Sequence, residues 1–290
     1  MRLAPTTRSL VPANRVQHTC VQLRDADVCG ALALSSIAGW NQTDEDWRLL
    51  LELSDACFGI RIDGEVVATA TLVCYGRTMA WLGMVLTHPE FRRMGLARTL
   101  VAHVMEYAEK LGVRTVKLDA TDEGRPLYES FGFQAEQRVE RWQRRFAPRA
   151  PGSGALAVSG RVTEITNGFD PDARACGYDR KQMLGCLAAS GEAVVENGGY
   201  ALSRSGRLNR YIGPCAAVSP AAARSVIERT MARHPEAAWF WDLLPANVNA
   251  VALAQELGFE CVRRLTRMWW GGEVRGKEEG IFAIAGLELG

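Results

Sequence analysis

The sequence predicts a mixed α/β (α+β) fold built as two similar halves, and three observations predict it. Stretches of alternating apolar residues interleave with stretches of helical spacing along the whole chain. A run rich in Pro, Gly, Ala and Ser, APRAPGSGALAVSG at 147–160, divides the 290 residues near the middle. The order short helix, FGF or LGF, strand occurs twice, in RPLYESFGFQAEQRVE (125–140) and in AVALAQELGFECVRRL (250–265).

The elements follow in order. Residues 1–15 read as a loose leader, because they lack the apolar core of a signal peptide. Residues 16–24 alternate like a strand, and 25–53 carry helical spacing in two pieces broken near Gly39. Thr43 with Asp46 three residues on is an N-cap pattern. Residues 55–62 and 65–75 read as strands joined by the tight turn Asp63-Gly64. The apolar run 79–87 is a further strand. Leu96, Leu100, Val104, Ala108 and Leu111 then mark a helix that Gly112 stops. A short buried strand at 113–119, a short helix at 124–130 and a last strand after Gly132-Phe133 complete a first domain over 16–146.

Beyond the linker, 161–290 repeats this outline. Strand 207–213 answers 79–87, the helix begun by Ser219-Pro220 answers the first long helix, and strand 237–243 answers 113–119.

Composition excludes several classes. With 34 basic against 33 acidic residues and a net charge of +1, nothing favours a nucleic-acid or anionic-membrane surface. No apolar run approaches bilayer length. Eight cysteines without a CxxC, and four histidines without an i,i+4 pair, give no metal signature. Scattered cysteines read as reduced core residues of a cytoplasmic protein, either monomer or homodimer. The sequon at Asn41 has no secretory signal to support it. Gly271 to Lys277 mimics a phosphate loop but has Glu278 where Ser or Thr is needed, and no dinucleotide fingerprint is present.

The chemistry concentrates in HPEFRRMGLARTL, residues 88–100. A helix start leaves main-chain N–H groups unpaired and carries partial positive charge, so a loop wrapped over it can hold a phosphate. Gly95 lets an oxygen approach the backbone closely, and Ala97 keeps the next outward position small. Arg92, Arg93 and Arg98 can add charge-assisted contacts. The alternative is a surface loop with solvated arginines.

Arg92-x-x-Gly95-x-Ala97 between a buried strand and a helix, followed by Leu127-Tyr128-Glu129-Ser130-Phe131-Gly132-Phe133, resembles the GNAT N-acetyltransferase superfamily over about residues 16–146. The resemblance implies a central, mostly antiparallel twisted sheet flanked by helices in each domain, with acetyl-CoA as co-substrate and no metal. It implies that Val85, Leu86 and Thr87 pair with pantetheine like an added strand. It also implies that Arg93, Met94, Gly95, Leu96, Ala97 and Arg98 bind pyrophosphate, and that Tyr128 protonates the leaving thiolate. Such proteins acetylate a small-molecule or peptide amine.

The general base is open. Asp119 is the best-placed carboxylate, a capping role is its alternative, and a water relay would need no single base. Ala120-Thr121-Asp122 stands where the family often has Asn. Trp40 and Trp47 bracket the early helices, either as packing residues or as walls of an acceptor pocket. The second half lacks the Arg-x-x-Gly-x-Ala pattern and resembles the degenerate second domain of certain tandem relatives. It either walls the acceptor pocket or stabilises the first half. Asp179, Arg180 and Asp242 are its candidate acceptor readers, with solvated or capping roles as the alternative. A sensor that kept the acyl-CoA cradle without chemistry is the competing function.

Overall fold

A computed structural model describes residues 19–54, 56–145, 170–196 and 198–290. The leader at 1–15 and the linker at 147–160 lie outside these residues.

Strand β1 (Cys20–Gln22) is followed by helices α1 (Val28–Ile37) and α2 (Asp44–Leu53). The N-cap pattern before α2 forms as the sequence indicates. Thr43 Oγ1 accepts from the Asp46 amide, and the Asp46 carboxylate accepts from the Thr43 amide at 2.9 Å. Strands β2 (Cys57–Ile62) and β3 (Glu65–Tyr75) turn at Asp63-Gly64, both with positive φ as a two-residue hairpin requires. Strand β4 (Met79–Thr87), helix α3 (Leu96–Lys110), strand β5 (Thr115–Ala120), helix α4 (Arg125–Glu129) and strand β6 (Gln134–Arg144) complete the first half.

The second half opens with α5 (Asp170–Cys176), α6 (Lys181–Ser190) and the hairpin β7 (Glu192–Glu196) and β8 (Gly199–Arg204). It continues through β9 (Arg210–Ala217), α7 (Pro220–Ala232), β10 (Trp239–Leu243), α8 (Val248–Glu256), β11 (Glu260–Gly271) and β12 (Ile281–Ala283). The internal repeat is real in three dimensions. β4 runs parallel to β5 and β9 runs parallel to β10, while the other pairings are antiparallel. The strand expected at 207–213 sits three residues later.

The two halves do not close separate sheets. A single 12-stranded sheet runs β1-β2-β3-β4-β5-β11-β6-β10-β9-β8-β7, with β12 on β9. β11 lies between β5 and β6, paired from Thr266↔Ala120 to Gly271↔Thr115 on one side. β6 in turn pairs with β10 from Trp239↔Arg144 to Leu243↔Glu140. Each half therefore supplies a strand to the other, and neither sheet is complete alone.

Amphipathic α3 buries Leu100, Val101, Val104 and Ala108 on one face of β2–β5. On the opposite face, Leu34, Trp47 and Leu50 from α1 and α2 join Met183 and Leu187 of α6, Tyr200 of β8 and Leu289 in one core. That core spans both halves. The segment after β12 passes beneath the first sheet. Trp81 Nε1 donates to Leu287 O at 3.0 Å and Tyr75 OH donates to Leu289 O at 2.5 Å. Buried Arg180 fixes the same segment by donating to Gly290 O at 2.9 Å while gripping Asp172 with two bonds of 2.8 and 2.9 Å.

Among the described residues no helix is long and apolar enough to cross a membrane, no cluster of three His, Cys, Asp or Glu could hold a metal, and no disulfide joins any of the eight cysteines.

Replacing Asp172 by Asn leaves the Arg180 charge buried and uncompensated. Such a change is expected to cost about 3–5 kcal/mol, read as a lower midpoint in urea unfolding. An unchanged midpoint would mean that the pair does not hold the final segment in place.

Candidate active site

The cavity begins with a bulge. In mid-strand, Met84 takes φ +48°, and the register of β4 against β3 slips between Thr69 and Thr71. Thr69 Oγ1 compensates by donating to Met84 O at 2.8 Å. β4 is thereby bent away from β5. The two pair only at Ala80↔Val116 and Trp81↔Lys117, and beyond those pairs they part. A cavity of about 660 Å³ opens where they separate, a volume suited to a small ligand. Residues 82–87 line one side, and Leu118, Asp119, Ala120 and Thr121 line the other.

The strand then leads into a 3-10 turn at Pro89–Phe91, where His88 Nδ1 accepts from the Glu90 amide at 3.4 Å. Arg93 at φ +64° and Gly95 at φ +85° wind the loop over the start of α3. Among the described residues, no main-chain acceptor meets the N–H groups of Arg93, Met94, Gly95, Leu96, Ala97 or Arg98. The helix start also has no side-chain cap and no acidic residue in its first turn. Arg92, Arg93, Met94 and Gly95 are exposed, and Arg98 stacks over Phe131 at 5.5 Å. The loop thus presents unpaired donors, a positive helix end and unpaired arginines, the elements of an anion cradle. A Cβ on Gly95 would meet nothing within 4 Å, so it would project into the open space of the cradle.

The start of α7 shows the contrast. Ser219 Oγ accepts from the Ala222 amide at 3.2 Å, and the Val218 amide donates to Gly198 O at 2.7 Å. Two of the donors at the start of α7 are thus satisfied internally, and Pro220 supplies none, whereas at α3 the run from Arg93 to Arg98 stays open.

Tyr128 projects from α4 into the same cavity. Gly124 packs on its ring and Phe133 meets it edge-on at 6.0 Å. Its hydroxyl has no hydrogen-bond partner among the described residues, and burial pushes its pKa up, so the phenol keeps its proton at neutral pH.

Asp119 borders the cavity with its main chain. Its carboxylate is fully buried and accepts two bonds from Arg267, at 2.9 and 3.0 Å. Burial raises its pKa against the pull of Arg267. Arg267 comes from β11 and stacks over Trp81 at 4.6 Å.

The remaining wall was not legible in any motif. It consists of Trp40 and Gln42 from the loop between α1 and α2, Arg141 of β6, Arg263 and Leu265 of β11, and Leu287 and Glu288. The second half therefore lines the cavity directly. Trp40 is part of it, whereas Trp47 is buried in the core with its Nε1 donating to Ser35 Oγ at 3.2 Å. Glu288 is placed by contact with β4, since a Cβ on Gly83 would lie 3.0 Å from the Glu288 backbone. Its Oε1 accepts from Arg204 at 3.1 Å, and burial raises its pKa against the pull of Arg204. Asp179, Arg180 and Asp242 do not line the cavity. Asp179 accepts from the Lys181 amide at 2.9 Å, Arg180 holds Asp172, and Asp242 is clamped to Arg141 by bonds of 2.7 and 2.6 Å.

Family comparison agrees with this geometry. Residues 29–133 match the acetyltransferase (GNAT) family, and residues 169–283 match an acetyltransferase (GNAT) domain. The chain is a tandem GNAT acetyltransferase. An uncharacterized N-acetyltransferase of Bacillus subtilis, YitH, is 31% identical over 222 residues, covering 73% of this chain and 77% of that one. A holothin acyltransferase of Pseudoalteromonas is 25% identical over 267 residues, covering 85% and 88%. A solved structure from Pyrococcus horikoshii, described among the acetyltransferases, shares the fold across 99% of both chains at a TM-score of 0.80 and 21% identity.

The GNAT loop depends on a left-handed residue at position 95. Gly95→Ala is expected to lower stability by about 1–2 kcal/mol, the cost of that conformation for a residue with a Cβ, measured by chemical unfolding. No loss would mean that the loop adopts another backbone path.

Proposed function

We propose that this protein transfers an acetyl group from acetyl-CoA to a primary amine by direct attack within a ternary complex. The reading is carried by a single cavity that borders both the unpaired amides at 93–98 and the protonated phenol of Tyr128.

The parted edge of β4 at Val85, Leu86 and Thr87 offers pantetheine a strand-like partner. Thr87 Oγ1 is buried there without a hydrogen-bond partner, which suits a ligand rather than an empty cleft. The amides from Arg93 to Arg98 receive the pyrophosphate, with Arg92, Arg93 and Arg98 adding charge. The second domain binds no CoA in this reading, because two donors at its equivalent helix start are already used and Pro220 removes a third.

The acceptor nitrogen attacks the thioester carbonyl carbon, the C–S bond breaks, and the thiolate takes a proton from Tyr128. The attacking ammonium must first lose its own proton. Two residues that border the cavity carry buried carboxylates, Asp119 and Glu288. Asp119 has both oxygens committed to Arg267 and no side-chain exposure. Glu288 has one oxygen, Oε2, that meets no side-chain donor among the described residues. We therefore assign proton removal to Glu288, and to Asp119 the neutralisation of Arg267 behind the cavity wall.

Thiol release from acetyl-CoA across a panel of amines tests the reading, with longer acyl-CoAs included. Turnover with an amine is expected. CoA binding without turnover for any amine would leave a sensor rather than a transferase.

Tyr128→Phe is expected to lower kcat by about 10²-fold or more, the scale of a lost general acid, while Kd for CoA, measured by calorimetry, stays the same. An unchanged kcat would remove Tyr128 from the reaction.

The pH profile tests the base. Only the carboxylate form of Glu288 accepts a proton, so kcat/KM rises as pH passes upward through its pKa. Burial places that limb above the ordinary glutamate range. Glu288→Gln should lower kcat/KM and abolish the limb. A limb that survives the substitution would return the role to Asp119 or to water.

A further inference from the structure

The cavity is not evenly charged. Across the pairing of β6 with β11, Arg141 and Arg263 stand directly opposite one another. Like charges so placed repel. The charge of Arg141 is spent on Asp242, which grips it with both oxygens. Arg263 has no such partner, and among the described residues no carboxylate lies within ion-pair distance of it. It is half-buried, and both burial and the neighbouring Arg141 press its pKa down. The fold nevertheless keeps it there by a specific device. A bulge between Cys261 and Arg263 skips Val262 out of register, so that Arg263 rather than Val262 comes opposite Arg141 and on the wall with Leu265. Asp242 acts on Arg263 only at longer range, with both oxygens held by Arg141, and a guanidinium facing a cavity with no carboxylate bonded to it is a binding group for an anion.

A second observation stands on the same wall. Gln42 is 6% exposed, and its Oε1 is buried with no hydrogen-bond partner. An orphaned carbonyl of this kind lacks an N–H donor. Glu288 lines the cavity beside it.

We propose that the acceptor is a primary amine that itself carries an anionic group, a carboxylate or a phosphate. Arg263 takes the anion, and Gln42 with Glu288 takes the amine end. This rests on the acetyl-transfer reading and narrows the acceptor within it.

The test uses the full chain with matched pairs of acceptors: L-amino acids against their amides, and O-phosphoethanolamine against ethanolamine. The acid arm and the phosphate arm separate the two sources of negative charge. The expected result is a preference of about 10- to 100-fold in kcat/KM for the anionic member of at least one pair, the scale of a charge-assisted hydrogen bond. In Arg263→Gln this ratio collapses toward one. The same variant should melt no lower than the parent, because it relieves repulsion and breaks no ion pair; a purely structural arginine would lower the melting temperature.

A parent enzyme that turns over neutral amines as well as anionic ones overturns the proposal, as does a preference that survives Arg263→Gln. Should CoA bind and no amine in the panel turn over, the transfer reading fails on its own. Calorimetric binding of the same pairs to the CoA-loaded chain then decides this one. Anion-dependent binding lost in Arg263→Gln supports it, and no anion-dependent binding refutes it.

Discussion

The structure depends on β4 and β5 staying together for only two residue pairs. A sheet strand normally has its neighbour's main chain to satisfy its polar groups. The bulge at Met84 breaks that arrangement over residues 82–87, and the molecule is organised around the resulting gap. On one side the freed edge of β4 leads into the glycine-turned loop at the start of α3. On the other, Tyr128 leans in from α4. The cost is a sheet interior with unsatisfied groups such as Thr87 Oγ1, and such a cost persists where a ligand offsets it.

The strand exchange is the second half of the same solution. β5 needs a neighbour on its far side, and β11 supplies it from the second domain, bringing Arg267 to Asp119 and Arg263 and Leu265 to the cavity wall. β6 is drawn into the other domain by the same exchange, where Arg141 meets Asp242. Buried ion pairs of this kind add little net stability against apolar packing, yet breaking one partner is costly. They fix register between strands of different halves. Arg204 extends that coupling by joining Asp46 of α2 to Glu288, at 2.9 and 3.1 Å. The second domain thus walls a cavity whose glycine-turned loop lies in the first.

Much of this was legible in the sequence, for local reasons. The Thr43–Asp46 cap, the Asp63-Gly64 turn and the strand at Met79–Thr87 are set by residues close in the chain. The repeated short helix, glycine-phenylalanine and strand revealed the tandem architecture, the chemistry of a helix start singled out the stretch around Gly95, and Tyr128 was named through the family resemblance alone. What could not be read depends on distant pairing. No local pattern says that β11 will enter between β5 and β6, so the continuity of the sheet was missed. Asp119 looked like an available carboxylate because Arg267, 148 residues away, is invisible at that range. Glu288 and Gln42 sit in no motif, and only the fold brings them to the cavity. Asp242 and Arg180 looked like acceptor readers and are ion-paired partners within the protein. The hairpin β7–β8 was also not foreseen. Its strands are short and glycine-flanked, and both their faces are buried, one by α7 and the other by the core shared with α2 and α6, so they lack the alternation of a half-buried strand.

Hydrogen–deuterium exchange with and without CoA reads the main-chain amides around Gly95 themselves. Exchange is expected to slow at residues 85–87 and 93–98 on adding CoA, with no change at Val218–Ala222 of the second domain. Unchanged exchange at 93–98 under saturating CoA, or protection confined to the second domain, would contradict CoA binding at this loop.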